Sequence, residues 1–111
     1  MLSREERITR EQEIKKVFSE GEKYSDGRLL AAYIIREEGK KSRAAFVVGQ
    51  KIGGAVKRNR VRRRLREAFR KTARQSGFDA VFVPRLSAKE ASFAEIVEAM
   101  EKILKSAGVS E

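Results

Sequence analysis

Apolar residues recur along this chain with two spacings, three or four apart in some stretches and nearly continuous in others. Ile14, Val17 and Phe18 share one side of a helix, which Thr9 and Gln12 would open as a capping box. That helix runs to about Glu20, with Gly21 stopping it. Residues 29–36 and 43–49 are apolar, β-favouring runs separated by the polar residues 37–41. Val61, Leu65, Ala68, Phe69 and Thr72 then fall on a narrow stripe of a longer helix over about residues 56–75, with Gly77 beyond its end. Residues 79–83 read as a strand stopped by Pro84. Ser87 with Glu90 offers a second capping box, and Phe93, Ile96, Val97, Met100, Ile103 and Leu104 give a closing helix its apolar face. The pattern predicts helices packed on a central sheet, an α/β sandwich in one domain.

Charge changes the picture at one place. The chain has 26 Lys/Arg against 16 Asp/Glu, a formal net of +10. Residues 57–74 hold ten of those bases (Lys57, Arg58, Arg60, Arg62, Arg63, Arg64, Arg66, Arg70, Lys71 and Arg74) against the single acid Glu67, a net of +9. Elsewhere the balance is near even, with seven bases and seven acids in residues 1–28 and three against five in residues 87–111. Around the predicted helix, Asn59, Arg62, Arg63, Arg66, Arg70 and Arg74 form a continuous sector beside and opposite the apolar stripe, with Glu67 on the other flank. A charge focused on one element points to a polyanionic partner more strongly than a solvated basic face does. Arginine narrows the partner, because its planar fork binds phosphate through two hydrogen bonds and its face stacks on unpaired bases. Asn59 is the only asparagine in the chain. It either reads a base edge or sugar hydroxyl, or caps a helix. Gly53 and Gly54 allow close backbone approach to a phosphate near a helix N-terminus, or are ordinary turn residues.

The catalytic inventory is thin. The chain has no histidine and no cysteine, so it lacks the ordinary general base near neutral pH, a disulfide framework and thiolate metal sites. Its acids lie mostly on the two terminal helices mixed with bases, and no tight carboxylate cluster suggests a two-metal nuclease centre. No apolar run approaches the ~18 residues of a membrane span, and the N-terminal Arg4, Glu5, Glu6 and Arg7 leave no signal-peptide core, so a soluble cytoplasmic protein is expected. A DNA-binding module would present the basic helix to a major groove, but no helix-turn-helix partner is visible. A membrane-surface helix needs a wider apolar face than this stripe.

Residues 51–67, KIGGAVKRNRVRRRLRE, resemble the signature segment of the bacterial ribonuclease P protein subunit. The resemblance extends over essentially the whole chain, through Val17-Phe18 followed by Gly21, the central strands, the strand at 79–83 and the closing helix. Its length argues against a general or ribosome-associated RNA-binding protein. The resemblance implies an α+β fold over residues 1–111, a two-layer α/β sandwich of order αβββαβα with a four-stranded sheet. It also implies a short extra strand near residues 22–25 and a left-handed βαβ crossover, where general topology favours the right-handed form.

Functionally, the resemblance implies a subunit that assists endonucleolytic removal of the 5′ leader from precursor tRNA, with catalysis residing in ribonuclease P RNA and its divalent metal (Mg2+). Lys51, Arg58, Asn59, Arg60, Arg62, Arg63 and Arg66 match the motif that faces the catalytic RNA and the substrate. Ile14 and Phe18 match positions lining a leader-binding cleft between the N-terminal helix and the sheet. The aromatic position on the second strand aligns with Ala32, so its neighbour Tyr33 would join the cleft only if the register shifts by one. Gly54 stands where the family often has asparagine, Arg62 where lysine is usual, and Ile14 where an aromatic is common.

Overall fold

Strand alternation decides which face of the sheet each side chain serves, and here both faces are covered. The computed structural model describes residues 2–110. Helix α1 (Glu11–Glu20) is followed by strands β1 (Glu22–Ser25), β2 (Leu30–Arg36) and β3 (Arg43–Phe46). Helix α2 (Ala55–Lys71), strand β4 (Phe78–Pro84) and helix α3 (Phe93–Ser106) complete the αβββαβα order. The four strands form one sheet in the order β1-β2-β4-β3. The first two pairings are antiparallel, and β3 runs parallel to β4. No helix among the described residues is long and apolar enough to cross a membrane.

Leu30, Ala32 and Ile34 of β2, Ala44 and Phe46 of β3, and Phe78, Ala80 and Phe82 of β4 belong to the main core. They pack there with the stripe of α2 (Val61, Leu65, Ala68, Phe69) and with Ile96, Met100, Ile103 and Leu104 of α3. Each large side chain so buried contributes roughly 1.5–3 kcal/mol. On the opposite face, Tyr33, Ile35, Ala45, Val81 and Val83 pack with Ile14, Val17 and Phe18 of α1. Tyr33 therefore lies on the α1 face, opposite Val81, whereas Ala32, opposite Phe82, is fully buried in the other core. Of these two neighbours it is Tyr33, and not the aligned Ala32, that faces α1. The run Leu29–Ile35 is apolar on both faces, so its sequence carries no alternation from which to read strand parity.

Both anticipated capping boxes shift as well. Helix α1 starts at Glu11 with Arg10 at its N-cap and no side-chain cap, leaving Thr9 outside. Residues Leu86–Glu90 form a short 3-10 turn, in which the Ser87 hydroxyl donates to the Arg28 carbonyl. The capping box of α3 is built by Ser92 and Glu95: the Glu95 amide donates to Ser92 Oγ at 3.1 Å, and the Ser92 amide to Glu95 Oε1 at 2.9 Å. Helix α2 stops at Lys71, four residues short of the expected end. There the Thr72 hydroxyl bonds back to the Ala68 carbonyl at 2.6 Å, and Arg74 folds over the helix end to donate to the Phe69 and Thr72 carbonyls. Its guanidinium lies 3.9 Å from the centre of the Phe69 ring and pairs with Glu6 at 2.5 Å. Arg74 thus leaves the basic face and closes the helix, satisfying the last carbonyls and complementing the negative end of the helix dipole.

A buried carboxylate anchors α1 to the sheet. Asp79, only 3% exposed at the start of β4, receives Arg43 Nε at 3.0 Å and Nη2 at 2.8 Å, and Lys40 at 3.1 Å. Arg43 also reaches Glu13 of α1 at 2.8 Å, and Lys40 reaches Glu37, which pairs with Lys16 of α1. Burial by itself would raise the Asp79 carboxyl, but hydrogen bonds and charge from Arg43 and Lys40 outweigh it and hold the group below the usual carboxylate range. A depressed folded value means stability that is complete above the ordinary carboxylate pKa and lost as pH falls toward the folded one. Asp79→Asn is expected to cost about 3 kcal/mol near neutral pH by removing the buried negative charge that Arg43 and Lys40 share, and to flatten the loss of stability on acidification. Urea midpoints of both forms between neutral pH and the acid range test this, and equal acid sensitivity would show that Asp79 does not set it.

Candidate nucleic-acid interface

The basic residues of α2 divide by their position around the helix. Arg58, Arg62 and Arg66, four apart, share one flank and are half-buried, while Asn59, Arg60 and Arg63 lie on the exposed ridge. Asn59 is neither a cap nor a turn residue. It sits in the second turn, where its Oδ1 accepts from Arg62 Nη1 at 2.6 Å. Lys51 is exposed in the 3-10 turn Gln50–Ile52 that leads into the helix.

That turn depends on glycine at one position. Gly53 has φ 142°, in the region favouring glycine, and a Cβ there would lie 2.8 Å from Lys57 Cδ. Gly54, the N-cap of α2, has extended backbone, and a Cβ added there would meet no atom within 4 Å. Space at this position is compatible with the asparagine that the resemblance led one to expect. The first turn of α2 has no acid, and Lys57 and Arg58 lie near the positive end of the helix dipole. This arrangement is electrostatically unfavourable until an anion binds.

The inner flank of α2 meets α1 around the edge of the sheet. Because β3 is an edge strand with α2 on one face and α1 on the other, Arg62 and Arg66 can reach past it. A groove of about 220 Å³ results, lined on its apolar side by Ile8, Ile14, Ala45 and Val47 and on its basic side by Arg7, Arg62 and Arg66. Arg7 was not singled out from the sequence. It arrives because the N-terminal segment pairs alongside β3, with an Arg7–Ala44 bridge and the Ile8 amide donating to the Ala44 carbonyl at 3.0 Å. Arg62 and Arg66, which it joins in the groove, lie more than fifty positions away in the chain and leave no local signal. Burial lowers the pKa of Arg66, and the charges of Arg62, Arg7 and Arg63 lower it further. The guanidinium stays protonated at neutral pH, so the groove concentrates positive charge held against its own repulsion. The buried Nε atoms of Arg7 and Arg58 also have no hydrogen-bond partner among the described residues.

Farther along α1, Phe18 and Tyr33 meet edge to face, with centroids 4.8 Å apart and planes at 63°. Lys23 lies 5.8 Å from the Tyr33 ring centre. These rings pack in the same apolar cluster as Ile8, Ile14 and Ala45 of the groove wall. Of the residues expected at the site, Ile14, Arg62 and Arg66 line the groove, and Phe18 and Tyr33 pack in the cluster behind its apolar wall. Lys51, Asn59, Arg60 and Arg63 occupy the adjoining exposed surface, and Arg58 lies between the two.

This arrangement, a basic helix bordering a half-apolar groove on a mixed sheet, can be compared with known proteins. The sequence matches the ribonuclease P family over residues 2–108. The chain belongs to the ribonuclease P protein family. It is similar to the ribonuclease P protein component of Clostridioides difficile, 31% identical over 98% of this chain and 97% of that protein. The corresponding protein of Dehalococcoides mccartyi is 38% identical over 89% of this chain and 78% of its own length. The fold superposes on the solved ribonuclease P protein of Staphylococcus aureus with a TM-score of 0.81 at 25% identity, covering 96% and 98% of the two chains. The Thermotoga maritima protein gives the same score at 27% identity, with 91% and 96% covered. Membership gives the chain its role as the protein component of a ribonucleoprotein endoribonuclease that processes the 5′ end of tRNA, with an RNA as partner.

Variants at three positions probe the construction of this surface. Gly54→Asn is expected to raise stability by a few tenths of a kcal/mol through N-capping, whereas Gly53→Ala is expected to lower it by about 1 kcal/mol or more. Denaturant midpoints measure both, and equal effects would mean that the two glycines are not distinguished by backbone and space. Arg7→Ala is expected to leave stability unchanged or slightly higher, since it relieves repulsion with Arg66, while weakening RNA binding and lowering its salt slope by ~0.7. An unchanged affinity would remove Arg7 from the interface.

Proposed function

We propose that the groove between α1 and β3 holds the single-stranded 5′ leader of precursor tRNA while the exposed ridge of α2 faces ribonuclease P RNA. The observation carrying this reading is the convergence of Arg7, Arg62 and Arg66 with the apolar wall of Ile8, Ile14 and Val47 in one groove, whose Ile8 and Ile14 pack in the same cluster as the Phe18–Tyr33 ring pair. A single strand exposes both phosphates and base faces, and such a surface meets both. A duplex would present phosphates and leave the apolar wall in water.

Ile14 offers van der Waals contact in place of stacking, so the stacking surface rests on Phe18 and Tyr33, worth ~1–3 kcal/mol per base. Lys23 beside Tyr33 supplies a cation for the neighbouring phosphate. Lys51, Arg58, Arg60 and Arg63 neutralise the backbone of the catalytic RNA where the two RNAs approach each other, and the neutral amide of Asn59 hydrogen-bonds to it. Arg62 and Arg66 stand at the boundary and contact the strand entering the groove.

The hydrolytic step belongs to the RNA in this reading. The chain has no histidine, and the described residues contain no group of three or more acidic or metal-ligating side chains close enough to hold an ion. Divalent metal, Mg2+ in this reading, is held by the RNA and supplies the activated water and charge stabilisation there. The protein contributes by positioning, holding the leader so that the scissile phosphate meets the RNA-borne centre, and by screening repulsion between two polyanions. The same reading places the chain in the cytoplasm with its RNA.

The deciding experiment is cleavage of precursor tRNA by ribonuclease P RNA at low magnesium, with and without this protein. Strong stimulation yielding the mature 5′ end is expected, and folded protein that binds RNA without stimulating cleavage would refute the reading. Phe18→Ala and Tyr33→Ala are each expected to weaken precursor binding about five- to a hundredfold while leaving binding of mature tRNA unchanged. Equal loss for both RNAs would assign the two rings to folding. Arg62→Ala and Arg66→Ala should each lower the salt slope of precursor binding by ~0.7–0.9, and unchanged slopes would remove them from the phosphate contacts.

A further inference from the structure

The flank of α2 turned away from the leader groove carries a second constellation. Arg63, Arg64, Glu67 and Lys71 meet Phe93, the first residue of α3, around a cavity of about 270 Å³. Phe93 is half-buried: it packs against the main core and also lines the cavity. Lys71 Nζ lies 5.7 Å from its ring centre. Glu67, the acid in this lining, is engaged by Arg70, whose Nε and Nη2 reach one of its carboxylate oxygens at 3.1 and 3.0 Å. Arg63 and Arg64 have no ion pair among the described residues.

An aromatic surface bordered by three cations in a shallow recess suits one planar group with an attached anion. A membrane surface would require a broad apolar face, which this lining of three cations and one acid around a single ring does not offer. We propose that this recess is a second RNA contact holding one unpaired nucleotide, its base against Phe93 and its phosphate among Arg63, Arg64 and Lys71. The inference rests on the ribonuclease P reading and adds to it. Helix α2 would then grip RNA on both flanks, the leader on one side and an extruded nucleotide on the other. A nucleotide within a regular duplex cannot occupy the recess, because its base face is already stacked. The nucleotide comes from an unpaired position of either the catalytic RNA or the precursor, which share this chemistry.

The chain contains no tryptophan, so Phe93→Trp places a single indole at the recess and keeps an aromatic surface there. Its fluorescence is to be titrated separately with ribonuclease P RNA, with precursor tRNA and with a blunt RNA duplex. Quenching by one of the first two, and not by the duplex, is the expected result, and the RNA that quenches identifies the source. Absence of quenching by both, while the unmodified chain binds RNA and stimulates cleavage, would overturn this inference and leave the ribonuclease P reading standing. Equal quenching by the duplex would overturn it too. Failure of the unmodified chain to bind either RNA would count against both readings. Phe93→Leu, which keeps apolar packing and loses the aromatic face, is expected to weaken binding of the quenching RNA about five- to a hundredfold. Unchanged affinity in a variant with an unchanged denaturation midpoint would likewise refute the proposal.

Discussion

Helix α2 can exist as a scaffold for so many cations only because its apolar stripe is buried. Phe69 is central to that burial, with ring centres of Phe46, Phe78 and Phe82 at 6.2, 6.4 and 5.8 Å, while Phe46 and Phe82 stack on each other at 5.8 Å. These contacts join the helix to β3 and β4 at once, so the position of the guanidinium groups is set by the packing of hydrocarbon beneath them. Aromatic pairs of this geometry add ~0.5–1.5 kcal/mol each beyond area burial. Together with Leu65 and Val61, they offset the mutual repulsion of the arginines in the absence of a polyanion.

The edge position of β3 converts that scaffold into a site. Had β3 been interior, a neighbouring strand would separate the flank of α2 from α1. At the edge, the two helices approach from opposite faces and their side chains meet around the strand. The N-terminal segment then fulfils two roles. It covers part of an otherwise open strand edge, the feature through which sheets join other chains, and it delivers Arg7 to the groove. Asp79 and Arg43 hold the first half of α1 against the sheet from beneath, so the groove has a rigid floor and one well-tethered wall.

Acids are distributed with a clear division between structure and surface. Glu6, Glu13, Glu37 and Asp79 each hold a cation that joins elements distant in sequence. In α2, the one acid, Glu67, pairs with Arg70, and among the described residues the flank of Arg58, Arg62 and Arg66 has no ion pair. Of the three α-helices, α1 and α3 have acids in the first turn, whereas α2 has none and gathers bases of one sign along its faces. Breaches of local consistency concentrated on one surface are a mark of binding, because the partner supplies what the fold withholds.

The amino-acid sequence by itself determined α1, α2, α3, the strands β2, β3 and β4 and the place of greatest charge, since these follow from periodicity and composition within short windows, whereas the short, mostly exposed β1 was expected only from the family resemblance. Val61, Leu65, Phe69 and the run of arginines were legible for that reason, as were Ile14 and Phe18 on one side of α1. Strand parity was not, because an apolar run buried on both faces gives no alternation, and Tyr33 was assigned to its face only by pairing with Val81. The capping boxes competed among several Ser/Thr-x-x-Glu/Gln matches, and packing chose Ser92 with Glu95. Arg74 had the same composition-level appearance as its neighbours until the end of α2 and Glu6 drew it into the structure. Arg7 and Phe93 became candidate site residues only when an edge strand and a helix start brought them to the two flanks of α2. Local chemistry can specify an element and its faces, but which faces meet depends on contacts between residues far apart in the chain, and the groove exists only at that level.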